Sequence, residues 1–179
     1  MKRLLLVWVV WLVITPALQA QKYHVTGGFI KFYSEEVLED IEAVNEQVKG
    51  LLDSASGKLA FVVPIEGFVF ERALMQEHFN EKYMESDKYP QATFSGRMVD
   101  YQPGESGKVW ADGDMTIHGI KRHIKVPGTI RFDDGKVLIN SVFMVKLADY
   151  GIEVPELMFQ KIAEEVEVTV SLTLQQVQQ

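Results

Sequence analysis

Four histidines, His24, His78, His118 and His123, are the most versatile chemical groups in this sequence. Histidine near neutral pH serves as a general base or a metal ligand. None of the four sits in His-Glu-x-x-His or another compact metal motif. His118 and His123 stand five residues apart across an expected turn. Zinc needs three or four ligands, so this pair reads as surface or hydrogen-bonding groups. His78 reads as a packing or capping residue on a helix. Asp112-Gly113-Asp114 lacks the other oxygen ligands of a calcium loop and reads as solvated acids at a turn or edge. Ser106 lies in Gly-Glu-Ser-Gly, but Lys108 replaces the last glycine of a nucleophile elbow. Gly50 and Gly57-Lys58 are too far apart for a phosphate loop, and Leu59 stands where that loop needs a hydroxyl. The chain has no cysteine, which excludes thiol catalysis. The acidic runs Glu35-Glu36, Glu39-Asp40-Ile41-Glu42 and Glu164-Glu165-Val166-Glu167 remain as a source of paired carboxylates. Such runs are solvated faces by default. A carboxylate-based hydrolase is therefore the weakest reading, because acid–base catalysis needs convergent placement.

What is left is the chemistry of apolar surface. Phe29, Phe32, Phe61, Phe68, Phe70, Phe94, Met115 and Phe143 are large, and most fall in short segments of strand-like alternation. They either fill a core or wall a cavity. Composition alone favours the filled core, since interiors are close-packed.

The elements that carry these residues are mainly strands. Strands are expected at Tyr23 to Tyr33, Lys58 to Phe70, Thr93 to Tyr101, Lys108 to His118, His123 to Phe132, Val137 to Leu147 and Glu165 to Leu174. Turn residues separate many of these segments, as in a sandwich or barrel. Gly27-Gly28 inside the first strand predicts a bulge or a close approach of backbones. Asp133-Asp134-Gly135 predicts a hairpin turn. Strand side chains alternate, so Phe61, Val63 and Ile65 share a face. Val109, Ala111, Met115 and Ile117 share another, opposite Asp112 and Asp114. Val166, Val168, Val170, Leu172 and Leu174 alternate with polar residues, as on a sheet with one buried face. Leu74, Met75, Phe79 and Tyr83 at helical spacing predict a helix over 71–84. Pro155 opens a shorter candidate, Glu156 to Ala163. Residues 35–52 are ambiguous: Val37, Ile41, Val44, Val48 and Leu51 form a helical stripe.

Before these elements, residues 1–20 read as a secretory leader. Met1-Lys2-Arg3 is basic, Leu4 to Ile14 is apolar and small residues follow. As a helix the apolar run is about 16 Å long, roughly half the bilayer core, so no integral span is expected after cleavage. One domain, 21–179, remains. The whole chain carries a net charge of −7, and losing the leader makes it more negative. Nucleic acid and anionic surfaces are poor partners for such a chain. Packing alone must hold this cysteine-free fold.

Several segments resemble a known family. Met75-x-x-His78-Phe79 followed by Lys88-Tyr89-Pro90-x-x-x-Phe94 is similar to the middle signature of the YceI-like proteins. Gly113-x-Met115-Thr116-Ile117-His118-Gly119-Ile120 and Ala148-Asp149-Tyr150-Gly151-Ile152 resemble two later elements of that family. The resemblance implies an all-β fold: an antiparallel, lipocalin-like barrel of about eight strands with one or two short helices. It implies strands at Leu38 to Asn45 and Gln47 to Asp53, against the helical stripe. It also implies a non-catalytic protein of the periplasm or exterior with no cofactor. The ligand would be a long-chain isoprenoid or similar apolar small molecule, such as a polyisoprenoid or quinone. The residues expected to line the barrel are Phe32, Phe61, Val63, Ile65, Phe94, Met115, Ile117, Phe143, Val145, Val168, Val170 and Leu172. Two departures stand out. Gly27-Gly28 replaces the family's His-Ser pair, and Leu147-Ala148 stands where an Arg precedes Asp-Phe-Gly. Lys146, Arg122 and Lys121 are the nearest substitute cations for a head group. The rival reading is a structural module, such as a homodimer, with a filled barrel. Its mark would be an exposed apolar patch on the 71–84 helix or around Leu157-Met158-Phe159.

Overall fold

A computed structural model describes residues 21–35, 40–153 and 163–177. The expected leader, the patch at Leu157-Met158-Phe159 and all of the Glu156 to Ala163 helix except Ala163 lie outside these residues. The described chain forms ten strand segments: β1 (Lys22–Ser34), β2 (Ile41–Asn45), β3 (Lys49–Asp53), β4 (Lys58–Pro64), β5 (Phe68–Phe70), β6 (Gln91–Val99), β7 (Gly107–Ile117), β8 (Ile120–Asp133), β9 (Lys136–Lys146) and β10 (Glu165–Gln176). All belong to one sheet in the order β10-β9-β8-β7-β6-β4-β3-β1-β2-β5, which β10 closes by pairing with β1. The strand pairs are antiparallel. Both β2 and β3 pair with β1; on their other side β2 meets β5 and β3 meets β4. Each couple is thus one kinked wall position, and the ten segments make an eight-position barrel.

The kinks explain where the strand pattern misleads. Over Ile41–Asn45 burial alternates strictly, with Ile41, Ala43 and Asn45 inside. A bend at Glu46–Val48 resets the phase before β3. Two short period-two runs joined out of phase imitate a helical stripe, yet stripe residue Leu51 is 55% exposed. The strands implied by the family resemblance are therefore present where described, and the helical reading fails. The expected single strand Lys58 to Phe70 is likewise broken by a tight turn at Ile65–Gly67. Buried Asn45 ties both kinks: its Nδ2 donates to the Pro64 carbonyl at 2.6 Å, and its Oδ1 accepts the Gln47 N–H at 2.8 Å.

The glycine pair of β1 does both things expected of it. The register with β10 shifts between Val25 and Gly27. Gly28 has φ 109°, and a Cβ there would lie 2.1 Å from the Ser171 carbonyl oxygen. The β7–β8 and β8–β9 hairpins turn through His118-Gly119 and Asp134-Gly135, all four at positive φ, as two-residue hairpin loops require.

The expected 71–84 helix is α1 (Ala73–His78) running into one π-helical turn, Phe79–Tyr83. It lies beside the outer edge of β5. There Gln76 substitutes for a neighbouring strand, donating from Nε2 to the Phe68 carbonyl at 2.5 Å and accepting the Phe70 N–H at 3.2 Å.

The core has two dense zones. At the base, where β1 begins, Tyr23, Leu52, Ile130, Val137 and Leu174 are at most 5% exposed and fill the barrel. At the rim, where β1 ends, four rings cluster. Phe79 stacks on Phe32 with centroids 5.5 Å apart and meets Phe70 at 4.9 Å and Phe68 at 5.6 Å.

Candidate ligand cavity

Between these zones the barrel is hollow. The cavity measures about 220 Å3, and side chains from every position of the wall except the β2/β3 couple reach it. The alternation of each strand decides which do. Ile30 and Phe32 come from β1, and Leu59, Phe61 and Val63 from β4. Ala92, Phe94 and Met98 come from β6, and Val109, Ala111, Met115 and Ile117 from β7. Ile124 and Val126 come from β8, Ile139, Phe143 and Val145 from β9, and Val166, Val168, Val170 and Leu172 from β10. Ile65 and Phe68 close the kinked side, while Phe79, Tyr83, Met84, Leu147 and Ile152 approach from the rim. All twelve residues expected from the sequence are brought together on this surface.

Two of the wider set are not. Phe29 sits on the opposite face of β1 from Ile30 and Phe32, and the bulge before it sets that phase. Phe70 is buried against Phe32 and Phe79 instead of facing the cavity. The main omissions were Ile124 and Val126, whose period-two spacing in a recognised strand was available. The rim residues had no such signal, since a helix and a turn deliver them from distant parts of the chain.

No charged side chain lines the cavity among the described residues. The polar contributors are Thr93, Thr129, Asn140 and Ser141 near mid-wall, and Tyr83 at the rim. Burial pushes the Tyr83 phenol up, so it stays neutral. At about 10–15 Å3 of such space per water-sized group, there is room for roughly fifteen to twenty methylene-sized groups, the bulk of about three or four isoprene units. Walls this apolar give interior water few partners. At about 24 cal/mol per Å3, a dry void of this size costs roughly 5 kcal/mol.

The polar groups singled out in the sequence lie outside this space. His118 joins three segments at the rim: Nδ1 lies 3.2 Å from the Tyr150 carbonyl, Nε2 lies 3.1 Å from Glu85 Oε2, and its ring meets Tyr89. Lys88, bonded at 2.7 Å, and then His118 hold the Glu85 carboxyl below its ordinary range. His123 lies on the outer wall between Asp112 at 2.9 Å and Asp114 at 3.1 Å. These two acids are mid-strand in β7, not at the turn or edge expected. Glu42 pairs with Lys31 on the outer face, and Glu165 and Glu167 stand on β10 away from the cavity.

The substitute cations are likewise peripheral. Arg122 Nε donates to the Asp149 carbonyl at 2.9 Å, and Lys121 lies 3.8 Å from Asp114. Lys146 is exposed at the end of β9. Leu147, in the place of the family's Arg, adds apolar surface to the cavity.

Residues 18–174 match the family model for the YceI-like domain. A polyisoprenoid-binding domain from Saccharophagus degradans, implicated in plant cell wall breakdown, superposes with a TM-score of 0.75 at 17% identity, covering 87% of this chain and 98% of its own. BcnA from Burkholderia cenocepacia superposes with a TM-score of 0.70 at 19% identity, covering 82% and 95%. The Campylobacter jejuni YceI protein gives 0.57 at 17% identity over both full lengths. No curated protein sequence is recognisably similar to this one. At these identities the superpositions establish the shared barrel fold.

Proposed function

The chain belongs to the YceI-like family, and from that premise we propose that it binds a long apolar chain of isoprenoid type inside the barrel, as a carrier or store and without catalysis. The observation that carries this reading is the cavity between two filled zones, with no charged side chain among its described lining residues, walled by seven of the eight strand positions. Each methylene moved from water into such a space contributes about 0.8 kcal/mol, so roughly fifteen of them support tight binding before the costs of ordering the chain. The relative from Saccharophagus degradans, described as polyisoprenoid-binding, supports the ligand class. Phe61, Phe94, Met115, Phe143, Val168 and Val170 form the middle of the proposed contact surface, with Phe32, Val63, Ile65, Ile117, Val145 and Leu172 around them.

The lining supports a non-enzymatic reading, because no carboxylate or histidine among the described residues reaches it. The head group belongs at the rim or beyond it, since no cation among the described residues lines the cavity. The basic and apolar start of the sequence supports export to the periplasm or exterior. No helix among the described residues is long and apolar enough to cross a membrane.

Native mass spectrometry of protein purified from lipid-containing cells tests the reading. The expected result is a bound apolar mass that leaves when Val168→Asp or Val170→Asp places a carboxylate in the wall. Lipid binding unchanged in a folded Val168→Asp protein would refute it.

A further inference from the structure

The barrel wall has a gap. The β8–β9 ladder runs from Asp133↔Lys136 to Gly128↔Ser141 and stops there. Both strands continue, β8 back to Ile120 against β7 and β9 on to Lys146 against β10. Over these stretches they have no ladder to each other. Pro127 explains the stop. The Ser141 hydroxyl donates to its carbonyl at 2.6 Å, so the N and C=O edge of Pro127 faces β9. Proline has no N–H to offer on that edge, and the next ladder bond is missing. Beyond the gap the strands are tied again, by Arg122 Nε donating to the Asp149 carbonyl of the turn after β9. The result is a framed window, about 17 Å long for the five residue steps from Arg122 to Pro127.

Its position gives it meaning. The inward residues on both sides, Ile124 and Val126 against Phe143 and Val145, line the cavity. The window therefore opens directly onto the hollow. The base is filled, and aromatic rings plug the rim. The other interrupted edge, along β5, is sealed by the Gln76 amide. Outside the window lies an apolar sill: Val142 is 51% exposed, Met144 56% and Trp110 40%, with Trp110 paired to Pro127. On the β8 side Lys125 Nζ lies 5.5 Å from the Trp110 ring centroid, so a hydrocarbon chain crossing here meets apolar surface along β9 and inside.

We propose that the window between β8 and β9 is the doorway through which the apolar chain loads into the barrel sideways. This rests on the binding reading above and adds its route. The test uses the absence of cysteine. Were the ladder continuous, Lys125 would face Met144, so K125C/M144C places one thiol on each jamb with no competing thiol. Nile red uptake and its displacement by geranylgeraniol are followed before and after oxidation. The expected result is loading slowed by about an order of magnitude in the bridged protein and restored by reductant, as for a gated step. Equal rates in bridged and reduced protein overturn the doorway. A second pair of variants covers the case in which the bridge does not close. M144C carrying a bulky maleimide should load more slowly than M144C carrying a methyl disulfide. The same labels on V69C, far from the window, should make no difference. Equal rates for the two labels on M144C, or equal slowing from V69C, overturn the proposal. Failure of the binding reading is seen separately, as reduced, unlabelled protein that takes up neither probe.

Discussion

A few polar side chains decide how this apolar barrel is shaped, and Asn45 is the clearest. It is fully buried, and its amide satisfies a carbonyl at one kink and an N–H at the other. Asn45→Leu keeps the volume but strands both partners, which costs about 2–4 kcal/mol. Denaturant unfolding should show that loss, with the cavity still able to take up an apolar dye. An undiminished midpoint would mean the kinks hold without Asn45. His123 yields a pH dependence of known sign. The hydrogen bond to Asp114, helped by nearby Asp112, raises its pKa above the ordinary 6.5. A folded-state value above the unfolded one stabilises the fold fully below the unfolded pKa. The contribution disappears as pH rises through the folded value. His123→Ala should therefore lower the melting temperature in mildly acidic buffer and leave it unchanged in alkaline buffer. The acid effect should be small because the group is exposed. The opposite order would show that the two acids do not hold the imidazolium.

At the scale of the element, Pro127 separates a closed wall from an open one. Pro127→Val restores the N–H and a residue suited to a strand. The ladder should extend past Gly128↔Ser141, and hydrogen exchange should report it. In the parent, the amides of Lys125 and Met144 should exchange much faster than those of Thr129 and Asn140, which are paired. In the variant that contrast should shrink and loading should slow. Fast exchange persisting at Met144 would assign the gap to another cause. The same residue shows what was legible in the sequence. The strand around it was readable from alternation, and the hairpin after it from Asp-Asp-Gly. A proline within a strand run is itself a signal of an edge. Its consequence, however, depends on the neighbour its missing donor faces, and that follows from register. Residues 41–53 failed locally for a related reason. Short strands joined out of phase share their spacing with a helix turn, and pairing with β1 decides between them. The cavity lining was readable because a barrel needs only the parity of each strand, and parity survives errors of a residue or two at strand ends. Phe29 was lost where Gly27-Gly28 shifted that parity.

Taken whole, the molecule carries a hollow that folding alone would not select. The base shows that this chain can pack its interior, with Leu52, Val137 and Leu174 fully buried. Above it the wall includes smaller groups, Ala111 beside Met98 near the base and Ala92 beside Val63 toward the rim. On this view the void is retained for an occupant, and stability and binding should trade against each other. Ala92→Leu with Ala111→Leu tests the trade. Each adds methylenes to empty space, so the ligand-free protein should gain about 0.5–2 kcal/mol per site. Uptake of Nile red should fall in step. In the parent, geranylgeraniol should supply the missing stabilisation itself, about 2.7 kcal/mol at a hundredfold excess over its dissociation constant. The filled variant should show little of that shift. If both substitutions instead destabilise the protein while the parent gains nothing from the lipid, the space is already well packed. The rival filled-barrel module would then be the better account of this fold.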